Sequence, residues 1–186
     1  MPLPPAVERE HLHTRSIEMC GYKRTDGLFD IEGRITDIKT RPMHPPGREV
    51  PSPAGVPIHD MFVRIVVDEY LLISEVAAVT DAGPYRDCPQ AANAMATLVG
   101  ARIGRGWTAR VKALLGPESC THLVELLLPM GTAAFQTLAP WRLARPDTLD
   151  ADGRPVKIDS CYAYSSKRAL VEKLWPMHFN GTKDAS

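Results

Sequence analysis

The spacing of apolar residues changes once along this chain, from two before Gly83-Pro84 to about 3.6 after it, so strands come first and helices follow. In Ser16–Tyr22, Ile17 and Met19 alternate with polar neighbours, and the chain leaves the loose arm of residues 1–14 near Arg15. A second run places Phe29, Ile31 and Ile35 on one face and Asp30, Glu32 and Arg34 on the other. Thr25-Asp26-Gly27 lies between them and predicts an antiparallel hairpin. Met61, Val63, Ile65 and Val67 then share a face, and Asp68-Glu69-Tyr70 turns into Leu71–Val79, which predicts a second hairpin. Further on, Ala92, Met95, Val99 and Ile103 form one helical stripe, and Trp107, Val111, Leu114 and Leu115 another. Gly116-Pro117 stops that helix and Ser119 can cap the next, which Pro129 and Gly131 should kink or break before 132–139. A short strand over 158–164 and a helix over 166–175 are expected before a tail at 177–186. The fold class is therefore α+β, an antiparallel sheet of two hairpins plus a later strand with helices on one face, in one domain over 15–176.

The segment 41–57 is a different material. Pro42, Pro45, Pro46, Pro51, Pro53 and Pro57 leave no room for a helix or a paired strand, and a loop this long is a functional lid or a disordered insertion. Composition excludes several classes of function. Lys+Arg and Asp+Glu are both 22 in 186 residues, which argues against a nucleic-acid platform. No run of 18 apolar residues exists, so no membrane span is expected, and Met1–Pro5 does not begin a signal peptide. Cys20, Cys88, Cys120 and Cys161 are scattered without C-x-x-C, which fits reduced thiols in a cytoplasm. There is no P-loop or G-x-S-x-G elbow, and Gly100, Gly104 and Gly106 lie late in a predicted helix, out of context for a dinucleotide.

Four groupings could carry chemistry. His59 shares the core side with Met61 and Val63, at the exit of the proline-rich loop, where an imidazole can act as general base; Asp60 points with Phe62 and Arg64. The bland alternative is a core-edge histidine with Asp60 paired to Arg64. Cys120 and His122 stand at a helix start, where free N–H groups and the macrodipole favour a thiolate; the alternative is a buried filler beside a first-turn polar residue. Residues two apart on a helix do not face each other, which argues against His122 as the direct base for Cys120. Asp30 and Glu32 on one face, near Tyr22, Arg24 and Asp26, form either an acid/base pair or a solvated face neutralised by Arg24 and Arg34. Glu75 in its apolar run is either desolvated or on a wet edge strand. His59, Cys120, His122 and Cys161 could hold zinc or iron if the fold converged them, but no pair has closed-site spacing, so no metal or cofactor is expected.

Tyr22–Gly33, Gly55-Val56-Pro57-Ile58-His59-Asp60-Met61, Gly106-Trp107, Cys120–Leu127, Ala134-Phe135-Gln136-Thr137 and Asp159-Ser160-Cys161 together resemble the bacterial family known as domain of unknown function 2889. The resemblance runs from about residue 12 to 176; where the family pattern has a histidine after the last cysteine, this chain has Tyr162. It implies an active site among Asp26, Asp30, Glu32, His59, Asp60, Cys120, His122 and Cys161, and a setting of aromatic catabolism. The expected function is a small cytosolic enzyme of lyase type acting on an aromatic substrate without a cofactor, for example by loss of formaldehyde from a lignin-derived phenylpropanoid. His59 would be the base, Asp60 or Asp30 its orienter, His122 or Tyr22 the acid, and the helix start at Cys120 an anion stabiliser. Arg24, Asp26, Glu32, Arg64 and Trp107 would contact substrate. The composition is compatible with a homodimer. Two other classes stay open: a metal-dependent hydrolase or a metal- or ligand-binding module without turnover, and an interaction subunit with an exposed apolar patch.

Overall fold

The computed structural model describes residues 4–181, so parts of the 1–14 arm and of the 177–186 tail lie outside the described residues. The chain divides into two compact units, one ending at Ala139 and the next beginning at Pro140, where the sequence predicts one domain over 15–176.

The first unit carries a four-stranded antiparallel sheet in the order β1 (His13–Lys23), β2 (Phe29–Lys39), β3 (Pro57–Val67) and β4 (Ile73–Ala82). With its helices, this makes the fold α+β. Both hairpins form at the predicted turns. Gly27 takes φ +89°, a conformation L side chains rarely adopt, while Asp26 accepts the Leu28 N–H. Asp68 accepts the N–H groups of Tyr70 and Leu72 at the second turn. His13 and Thr14 belong to β1 rather than to the arm, and Pro57 opens β3, a strand position proline tolerates. Glu75 is exposed on the edge strand, 4.0 Å from Arg24, so it is not a desolvated carboxyl. Pro57 apart, the predicted 41–57 loop forms no regular element beyond a bridge between Met43 and Ser52. This loop leaves β2 two residues after Asp37 and re-enters β3 two residues before His59.

One face of the sheet, with Phe29, Ile31, Ile35, Met61, Val63 and Ile65 buried, packs beneath α2 (Thr121–Thr137), and α1 (Trp107–Leu115) lies against α2. The helix predicted over 89–103 is instead a 3-10 helix, Cys88–Leu98, after which Gly100, Ala101 and Ile103 hydrogen-bond to Leu71 and Ile73. Its buried positions Met95 and Leu98 are three apart, the 3-10 repeat, and Val99 of the expected stripe is exposed. Helix α2 runs through Pro129 without ending. Pro129 is on the exposed side, where the Glu125 carbonyl it releases can reach water, and Leu126, Leu127 and Met130 on the other side are buried. Ser119 does not cap α2; the N-cap is Cys120, and no side chain serves the cap.

Close approach between α1 and α2 depends on Gly131. A Cβ there would lie 2.6 Å from Trp107 Cδ1, while the Trp107 indole N–H donates to the Leu127 carbonyl at 2.9 Å. Trp107 is thus held in the interface between the two helices. Gly131→Ala should destabilise the first unit by about 1–3 kcal/mol, read as a melting temperature several degrees lower; an unchanged melting temperature would show that the indole yields freely.

Element α3 spans Ala139–Leu143, and the second unit also contains α4 (Ala169–Leu174), shorter than the predicted 166–175, and a 3-10 turn over Pro176–His178. Asp147 accepts the Trp175 indole N–H and pairs with Lys157, and Ile158 and Val171 are buried. No strand forms over 158–164. Asp159 takes φ +63° and accepts the Ser166 N–H, so the alternating pattern is spent on turns.

Candidate active site

A row across three strands organises the site. The strand register sets Arg15 of β1 opposite Asp37 of β2, and Asp37 opposite His59 of β3, all on the helix-facing side. Asp37 is 1% exposed. Its Oδ1 accepts from His13 Nε2 at 2.7 Å and Arg15 Nε at 2.8 Å; its Oδ2 accepts from Arg15 Nη2 at 2.8 Å and His59 Nδ1 at 2.9 Å. Burial by itself would push this carboxyl up. The hydrogen bonds from Arg15, His13 and His59 outweigh it and hold the group well below the usual carboxylate range. Arg15 is shifted the other way, chiefly by its bond to Asp37, and also donates to Glu125 at 2.5 Å.

The first turn of α2 supplies the other half. The rings of His59 and His122 stack with centroids 3.7 Å apart at 33°, and Cys120 Sγ lies 3.6 Å from His122 Nδ1. Burial raises the Cys120 thiol, but the His122 hydrogen bond and the N–H groups of Leu123 and His122 more than offset this and leave it below the ordinary thiol value. The chain Cys120–His122–His59–Asp37 therefore runs from a half-buried thiol to a buried carboxylate. Residues 120 and 122 do meet despite their helical spacing, because Cys120 is the extended N-cap residue.

Of the residues singled out in the sequence, His59, His122 and Cys120 come together. Asp60 does not join them: it points through the opposite face of the sheet, where Arg34 holds it in a two-pronged ion pair at 2.8–2.9 Å, so it cannot orient His59. Nor does it pair with Arg64, which lies 3.9 Å from Glu32. Asp30 is seven residues along β2 from Asp37, about 23 Å at strand rise, on the other face and paired with Arg24. Asp26 is also bound by Arg24, and Tyr22, opposite Asp30, is exposed. These groups lie on the outer face of the sheet and at the hairpin end, paired with arginines and separate from the histidines. Cys161 is exposed in the second unit. The residues missed were Asp37, Arg15, His13 and Glu125. Parity was the available signal, since Asp37 continues the inward series Phe29, Ile31, Ile35.

Asp37, His59 and His122 place one potential ligand atom each within 4.8 Å of one another, the metal-type grouping among the described residues. The Asp37 oxygens already accept four N–H bonds, so this carboxylate acts on His59 as a partner behind the ring rather than as a ligand. No described helix is long and apolar enough to cross a membrane.

No curated protein and no solved structure matches the chain. A family model described as a protein of unknown function, DUF2889, matches residues 13–136. The matched span holds every member of the histidine cluster and stops short of Asp159-Ser160-Cys161. By that match over well over half of its length, the chain belongs to the DUF2889 family.

Proposed function

We propose that this protein is a small cytoplasmic enzyme that works on a small aromatic substrate by acid/base chemistry of lyase type, without a cofactor. The observation that carries the reading is the stack of His59 on His122 with Asp37 behind it. Because an ionised carboxylate only accepts, His59 Nδ1 carries the proton and Nε2 keeps its lone pair, the form a general base needs. In a retro-aldol cleavage, His59 takes the hydroxyl proton, the carbon–carbon bond breaks, formaldehyde leaves, and the electron pair on the ring-side carbon is protonated by His122. The aromatic substrate class is an expectation drawn from the family resemblance, and the histidine cluster supports the acid/base part. A hollow of about 530 Å³ lies beside the proline-rich loop, lined by Arg48, Glu49 and Val50 and, after β4, by Tyr85 and Arg86; no residue of the histidine cluster lines it. In this reading the loop closes over the substrate.

The metal-dependent alternative uses the same histidines, and one assay separates the two. Purified protein is mixed with a phenylpropanoid diol bearing a terminal hydroxymethyl group, and formaldehyde is quantified with and without chelator. Release above the buffer rate, unchanged by chelation, is expected. Loss on chelation with recovery on adding zinc or iron would favour the metal reading, and no release across a panel of such diols would overturn the lyase assignment.

A further inference from the structure

The proposed acid/base step gives no bond-making role to Cys120, yet its surroundings are built for one. It is the N-cap of α2, where N–H groups of the first turn face the sulfur, and the His122 ring stands 3.6 Å away. Two residues, His122 and His59, separate this sulfur from the buried Asp37, so a proton leaving the thiol has an imidazole to receive it.

We propose that Cys120 is a nucleophile, with the His122 ring as the acceptor of its proton, that adds reversibly to the carbonyl carbon of a small aldehyde. In this step the Sγ–C bond forms and the C=O π bond breaks. Its electron pair moves to oxygen, which takes the thiol's proton back from His122, giving a hemithioacetal. No oxidant or reductant is needed. The choice of aldehyde rests on the lyase reading, whose released fragment is formaldehyde; the nucleophilic character of Cys120 does not.

The test uses the full-length native protein. Iodoacetamide labelling at neutral pH, resolved by peptide mass spectrometry, compares the four cysteines. Half-buried Cys120 should react about tenfold or more faster than exposed Cys161, with a rate–pH inflection below the ordinary thiol value of about 8.5. His122→Asn should remove that advantage while circular dichroism stays unchanged. Carbon-13 formaldehyde should then give an adduct signal that disappears on dilution and is absent from Cys120→Ser. Cys120 reacting no faster than Cys161 would overturn the nucleophile. Fast alkylation without a formaldehyde adduct would overturn the aldehyde as its partner. Neither readout needs turnover, so a failed lyase assay is a separate result.

Discussion

Asp37→Asn should lower the stability of the first unit by about 3 kcal/mol at neutral pH, the scale for removing one partner of a buried ion network. One buried carboxylate serves Arg15, His13 and His59 together, and the amide oxygen can accept from only part of that set while its NH₂ faces donors. The melting temperature should fall by about 10 °C. The pH dependence has a definite sign. The folded-state pKa of Asp37 is depressed, so its contribution is present above the unfolded value of about 3.9 and is lost as pH falls through the lower folded value. The Asp37 contribution to the gap between wild type and variant therefore closes in acid, below about pH 4. Urea denaturation at several pH values measures it. A gap below about 0.5 kcal/mol at pH 7, or one that widens in acid, would show that the cluster does not hold the sheet end together.

How much of this site could be read in advance depends on which constraint places each residue. The first hairpin turns about Asp26, and pairing symmetric about that residue sets Arg15 against Asp37. With the inward parity of Phe29, Ile31 and Ile35, that much was legible, and a carboxylate on an inward, otherwise apolar series was the clue. The pairing of Asp37 with His59 was not. It crosses the proline-rich loop and stands beside a bulge between Asp37 and Ile38, and neither loop path nor bulge has a local signature. The approach of His122 depends on where α2 lands on the sheet, which tertiary packing decides. Asp60 shows the opposite failure. Adjacency in sequence suggested a His-Asp pair, whereas strand alternation separates His59 and Asp60 to opposite faces. Period alone also misled at Cys88–Leu98, where a few apolar residues fit repeats of 3.0 and 3.6 equally well, and at 158–164, where Asp159 turns the chain. The two hairpins were legible because turn chemistry and alternation agree there.

His59→Gln should reduce formaldehyde release by about 10²–10⁴-fold, the usual contribution of a positioned general base. Glutamine keeps a side chain of similar reach that can still donate to Asp37, so the carboxylate retains a partner and the fold should survive. What it lacks is the Nε2 lone pair, the one atom the mechanism needs from this ring. The loss should therefore appear in kcat rather than in melting temperature, which separates it from Asp37→Asn, where both fall. Asp60→Asn provides the contrast. Only one residue away in sequence, Asp60 faces the other side of the sheet and engages Arg34, so turnover should stay within about threefold of wild type. Equal losses in both variants would mean that the sheet end is being unsettled rather than a base removed. A His59→Gln enzyme within tenfold of wild type would take the proton-abstracting role away from this imidazole, whatever the fate of Cys120.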